Sequence, residues 1–325
     1  MDEKMTAAVY SILIAFVFNV ILCPVVIPLL RRLKFGQNVR DDGPETHLVK
    51  AGTPTMGGIM ILLSMLLSSL FFIKGNSDGI IVLFMTLGYG IIGFIDDYIK
   101  VVKKRSLGLR AWQKIVLQLV VTGIFIYYIY NYTDIGTAVY VPFMKGFEID
   151  LGILFIPFVI FAVLGTVNAV NLTDGLDGLA SGVTVLVTLF FMFAALKLSS
   201  GVLPIAGAAA GSLLGFLLFN SYPAKVFMGD TGSLALGGFL AAVAVLFKMP
   251  LFLIVVGIIY VLEALSVILQ VGYFKLTHGK RIFKMAPLHH HFEKCGWNET
   301  KVVAVFYIIT SIAVLVGFLA ADGIF

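Results

Sequence analysis

The sequence predicts an all-α integral membrane protein: a polytopic bundle of about ten transmembrane helices, both termini extracytoplasmic, forming one domain over residues 1–325. Three observations predict it. Of the 325 residues, 60% are hydrophobic and 13% charged, a balance from which no water-soluble surface can be built. The apolar residues fall in stretches of about 20, the length that crosses about 30 Å of hydrocarbon. Lys and Arg gather in alternate loops, the asymmetry that orients membrane helices.

The stretches are 6–30, 55–73, 78–95, 112–130, 151–168, 178–196, 202–219, 231–247, 251–274 and 302–321. The first runs through Pro24 and Pro28 into a basic cluster without a small-residue cleavage site, which reads as a retained helix rather than a removed signal peptide. Of the 23 basic residues, 18 follow the first, third, seventh and ninth stretches. They are Arg31, Arg32, Lys34, Arg40 and Lys50, then Lys100, Lys103, Lys104, Arg105, Arg110 and Lys114, then Lys225, and finally Lys275, Lys280, Arg281, Lys284, Lys294 and Lys301. Lys4, Lys74, Lys145, Lys197 and Lys248 fall on the other side. The crowded side is expected to be cytoplasmic. The net charge of +5 is then a topology signal with some affinity for anionic membrane lipid, and no nucleic-acid partner is expected. Cys23 and Cys295 offer no disulfide framework, and no internal repeat or long linker divides the chain.

External loops such as 131–150 are short or bland, whereas the cytoplasmic ones concentrate Asp, His, Asn and Gly, so chemistry is expected inside. The first ends in Lys50-Ala51-Gly52-Thr53-Pro54-Thr55-Met56-Gly57-Gly58. It reads as a helix start whose free N–H groups and positive dipole end suit a phosphate, or as a plain interfacial turn. Asp96-Asp97-Tyr98-Ile99-Lys100 ends the third helix, where two carboxylates are costly. Either Lys100 and its neighbours neutralise them, or they serve magnesium and handle a proton or position a phosphate.

The run from Asn168 through Asn171, Thr173, Asp174, Gly175, Leu176 and Asp177 to Gly182 is the densest. Its two Asp-Gly pairs make a tight polar turn able to approach a ligand closely, and it lacks the ligand spacing of a calcium loop. In Phe227-Met228-Gly229-Asp230-Thr231-Gly232-Ser233, Asp230 opens the eighth helix as an N-cap or a ligand, and Phe227 offers a face for a base. His289-His290-His291 has no standard zinc spacing, so phosphate contact or proton handling is expected. Glu263 and Gln270 share one face of the ninth helix. An intramembrane Glu is a functional candidate unless it only bonds helix to helix.

Together these motifs resemble the bacterial phospho-N-acetylmuramoyl-pentapeptide transferase family, within the polyprenyl-phosphate N-acetylhexosamine-1-phosphate transferases. The match takes in Thr53 to Gly58, Asp96 to Lys100, Asn168 to Gly182, Phe227 to Ser233 and Pro287 to Glu293, in family order. The Asp pair and the Asn-Asp loop resemble the whole superfamily; the histidines resemble the muramoyl-pentapeptide branch. The resemblance implies transfer of phospho-N-acetylmuramoyl-pentapeptide from UDP-N-acetylmuramoyl-pentapeptide to undecaprenyl phosphate. The products are lipid I and UMP, in the first membrane step of peptidoglycan synthesis at the bacterial plasma membrane. A sister enzyme using UDP-N-acetylglucosamine is the alternative.

The resemblance also implies Mg2+ on Asp230 and Asp97, and catalytic roles for Asp96, Asp97, Asp174, Asp230 and His289. It places uridine near Asn168, Gly175, Leu176, Asp177 and Phe227, with Gln270 near the nucleoside or its appended group. Lys50, Lys114, His290 and His291 fall near phosphates, with Thr55 and Asn171 also binding substrate. A phosphate monoester has a second pKa of about 6, so a base gains little and a one-step attack assisted by Asp97 or Asp96 is expected, with a covalent aspartyl-phosphate as the open alternative. The family's ninth helix is broken and leans into lipid, which Gly272 and the polar run after Tyr273 allow. Apolar lateral faces are compatible with a homodimer.

Overall fold

The computed structural model describes residues 3–32, 52–101, 103 and 108–325. In chain order the helices are α1 (Glu3–Arg32), α2 (Gly58–Ser69), α3 (Ser77–Val101), α4 (Ala111–Tyr132), α5 (Phe155–Thr173), α6 (Leu179–Lys197), α7 (Val202–Asn220), α8 (Gly229–Leu246), α9 (Phe252–Val256), α10 (Ile258–Leu276), α11 (Leu288–Lys294) and α12 (Glu299–Ala320). Among the described residues nine of these are long and apolar enough to span a membrane. Among the described residues a single antiparallel pair, β1 (Ala138–Tyr140) with β2 (Glu148–Asp150), interrupts the helices.

In lipid, helices gain little from hiding apolar surface and are held by close packing. The α1–α7 pair shows this. Gly207, Gly211 and Gly215 recur every fourth residue on α7, and a Cβ on any of them would press on Ser11, Ile12 or Asn19 of α1. The far side of α1 exposes Val9, Leu13, Val17, Ile21, Val25 and Leu29, a stripe at the same four-residue spacing that faces lipid. At the centre stands α8, buried at every position from Thr231 to Leu246 and packed chiefly on α3 and α5. Its first turn is approached closely at two glycines. A Cβ on Gly93 of α3 would overlap the Asp230 carbonyl, and one on Gly58 of α2 would overlap the Gly232 backbone.

Three elements differ from the reading of the sequence. The second apolar stretch is helical over only 12 residues, because the segment before α2 pairs by main chain with the segment before α8. Phe227 N–H donates to Pro54 O, Gly57 N–H to Phe227 O and Gly58 N–H to Met228 O, each at 2.8 Å. The N–H groups expected to be free for a phosphate are therefore spent inside the protein. The ninth stretch is two helices broken at Gly257, where a Cβ would lie 2.6 Å from Leu253 O; Gly272 sits within uninterrupted α10. The loop at 131–150 carries the hairpin, which closes one end of the bundle: Tyr140 N–H donates to Lys248 O (2.7 Å) and Phe143 N–H to Ala320 O (2.9 Å).

Candidate active site

The polar residues singled out in the sequence converge at the other end, around the first turn of α8. A helix N-terminus leaves backbone N–H groups without partners, and here Asp97 of α3 supplies them. Its Oδ1 accepts from Asp230 N–H (3.2 Å), and its Oδ2 accepts from Thr231 N–H (2.9 Å) and the Thr231 hydroxyl (2.7 Å). Gly229 makes the approach possible. It has φ +73°, and a Cβ there would lie 2.7 Å from Asp97 Oδ2 and 2.8 Å from Thr55 Oγ1.

With its helix capped from α3, Asp230 turns its carboxylate outward to other groups. Its Oδ2 receives Lys114 Nζ at 2.7 Å and Lys100 Nζ at 3.0 Å, while its Oδ1 receives Asn171 Nδ2 at 3.0 Å. Lys100 also reaches Asp96 Oδ2 at 2.6 Å, and Asp96 Oδ1 accepts Leu109 N–H at 2.7 Å. Asp174, just past α5, completes the group. Burial first, then the negative charges of Asp230 and Asp97, push its pKa up to about 8, against a hydrogen bond from the Gly229 backbone. Four carboxyl groups thus face two ammonium groups.

A divalent cation fits that excess of acid. Among the described residues no three His, Cys, Asp or Glu side chains converge into a ready cage. Magnesium does not need one, since it is commonly held by one or two carboxylates together with water and substrate phosphate.

His289 lies beside the cluster, over Gly175. His289, 1% exposed, places Nδ1 3.0 Å from Glu263 Oε2, and a Cβ on Gly175 would overlap its Nε2. His290 Nδ1 pairs with Glu293 (2.8 Å), and His291 Nδ1 accepts Lys284 N–H (3.1 Å). Phe227 is half-buried, beside the main-chain pairing with Pro54.

Other expected ligands also make bonds within the scaffold. Asn168 donates to Gln118 Oε1 (3.1 Å) and Leu164 O (2.8 Å). Asp177 is buried, with Oδ2 accepting Ala224 N–H (2.9 Å) and its own N–H donating to Glu299 (2.7 Å). Gln270 Oε1 accepts Ile282 N–H (3.1 Å) and Phe283 N–H (2.9 Å), fastening the segment after α10. Leu176 is buried, and Lys50 lies outside the described residues. Lys100 and Thr231 belong to the site although they were not chosen as site residues. Lys100 is legible in retrospect, four residues after Asp96 on one helix face.

The fold is that of a polytopic membrane protein with acids and lysines gathered at one end of the bundle, and comparison with known proteins places it among transferases. The Glycosyl transferase family 4 model matches residues 79–248, and the phospho-N-acetylmuramoyl-pentapeptide-transferase signature 1 matches residues 50–62. The chain is similar to phospho-N-acetylmuramoyl-pentapeptide-transferases of Clostridium kluyveri (54% identical over 314 residues, 96% of this chain and 98% of the relative) and Clostridium perfringens strain 13 (53% over 313, 95% and 97%). One from Clostridioides difficile is 52% identical over 317 residues, 97% of this chain and 98% of the relative. The chain belongs to the phospho-N-acetylmuramoyl-pentapeptide transferase family.

Proposed function

We propose that this protein transfers phospho-N-acetylmuramoyl-pentapeptide from its UDP donor to undecaprenyl phosphate at the cytoplasmic face of the plasma membrane, forming lipid I and releasing UMP. The observation that carries the reading is the Asp230 carboxylate, met at once by Lys100, Lys114 and Asn171. Family membership supplies the substrates. Lys100 and Lys114 sit at the carboxylates with charge to share, and an arriving diphosphate competes for them without a large movement. Asn171 fixes one Asp230 oxygen and also donates to Ser233 Oγ (2.8 Å), which keeps the carboxylate from swinging. Asp97 acts one step back, by fixing the turn that carries Asp230. Asp230, with Asp96 and Asp174 adjacent, would hold a magnesium ion, which when bound would neutralise negative charge developing on the phosphoryl and leaving-group oxygens. The acceptor phosphate, with a second pKa of about 6, is already largely doubly ionised, so positioning outweighs base catalysis and a one-step displacement is favoured.

The test is UMP release by the purified protein in detergent with undecaprenyl phosphate and magnesium. Release with the muramoyl-pentapeptide donor, lost at least about 100-fold in Asp230→Asn, is the expected result. Release with UDP-N-acetylglucosamine instead overturns the choice of donor, and release with neither overturns the transferase reading.

A further inference from the structure

Glu263 is fully buried in α10 and takes no part in the acid cluster around α8. Both its oxygens go to one residue. Oε1 accepts His289 N–H at 3.1 Å, capping the first turn of α11, and Oε2 meets His289 Nδ1 at 3.0 Å. A ring held at the backbone and at one nitrogen has no freedom to turn. The other nitrogen, Nε2, is buried and has no hydrogen-bond partner among the described residues. It lies over Gly175, the residue after Asp174, where the missing Cβ leaves room for it.

A carboxylate at Nδ1 draws the proton there, so the tautomer is set and Nε2 is the atom presented outward. A buried polar atom without a partner is uncommon enough to call for a ligand. His290 and His291 differ in kind, since their Nδ1 atoms are tied within α11 or to Lys284 nearby in sequence. His289 is held from a membrane-spanning helix.

We propose that Glu263 is a positioning residue, which orients and charge-balances His289 so that Nε2 meets an anionic phosphate oxygen of the donor beside Asp174. The inference rests on the transferase reading above. When that oxygen arrives, Nε2 takes up one proton from solvent and donates the resulting N–H to it, and Glu263 supplies the negative charge that offsets the doubly protonated ring. The ring then neutralises charge at the reaction centre instead of contributing to ground-state binding alone.

The experiment is a double-mutant cycle on UMP release by the full-length protein, with kcat and KM for the muramoyl-pentapeptide donor measured in wild type, Glu263→Gln, His289→Ala and the double variant. Glu263→Gln is expected to lower kcat on the order of 10- to 100-fold with KM within about threefold. In the His289→Ala background the same change is expected to cost no more than about twofold, because the residue it acts through is gone. Wild-type kcat in Glu263→Gln, or an equal loss in both backgrounds, overturns the proposal and leaves Glu263 a structural residue. Should Glu263→Gln fail to fold, Glu263→Asp enters the same cycle, keeping the charge but withdrawing it from Nδ1 by one methylene. Wild-type protein that releases no UMP with either donor overturns the transferase reading itself, whereas an active wild type with an additive cycle overturns only the pairing.

Discussion

Asp97 accepts three hydrogen bonds from the first turn of α8, while Asp230, on that turn, points at two lysines and an asparagine. The same side chain therefore serves as cap in one place and as charged ligand in the other. Asp97→Asn leaves an amide NH2 facing N–H donors. It is expected to destabilise the protein by about 2 kcal/mol and to abolish most UMP release, read by thermal unfolding and turnover in detergent. Thr231→Val removes a single hydroxyl donor from Asp97 and is expected to cost about 1 kcal/mol with activity retained to within about tenfold. Which residues were polar and costly was legible in the sequence; which carboxylate did which task was not. Asp97 and Thr231 are 134 positions apart, and nothing local in either motif reports the other. Family resemblance places Asn168, Asp177 and Gln270 near the donor; their hydrogen bonds to Gln118, to Ala224 and Glu299, and to the segment after α10 could not be read from the sequence.

At the scale of elements, two helices, α2 and α3, reach the site end of α8 through glycine contacts, and those contacts set where Asp230 stands. Gly93→Ala places a methyl group into the Asp230 carbonyl, and the helix must shift to accommodate it. A misplacement of about 1 Å costs about 100-fold in a positioned reaction, so a loss of that order in turnover is expected with the protein still folded. Gly123→Ala on α4 meets nothing within 4 Å and is expected to leave turnover unchanged. Apolar length made nine of the spanning helices readable. It failed where tertiary pairing overrode local pattern, as at α2, whose first residues are drawn into main-chain bonds with Phe227 and Met228. It failed again at α9 and α10, which read as one stretch because the break turns on a single Cβ-free position, Gly257. The hairpin was missed because strands of three residues are too short to show alternation.

At the scale of the molecule the bundle has two unlike ends. Glu299 starts α12 beside Asp177 at the site, and Ala320 ends it under the hairpin. The distribution of Lys and Arg predicts a cytoplasmic site end, and the native cysteines test that prediction. Cys295 is exposed just past α11 at the site end, whereas Cys23 is buried within α1. A membrane-impermeant maleimide is expected to leave intact cells unlabelled at Cys295 and to label it once they are permeabilised. A cysteine introduced by Phe143→Cys in the hairpin loop, where the side chain is exposed, is expected to label in intact cells. The reverse pattern would invert the topology.

The central helix has one more consequence. Charge and hydroxyl groups on α8 end at Ser233; from Leu234 to Phe247 it carries only Leu, Ala, Gly, Phe and Val, and every one is buried. That is a dry column of about 20 Å (14 residues at 1.5 Å each) along the axis of the bundle, lying between the carboxylates and the hairpin. An ion drawn to the acid cluster meets a steep dielectric barrier if it moves on. Along this helix the bilayer's insulation is therefore unbroken, with no polar side chain bridging the site end and the hairpin end.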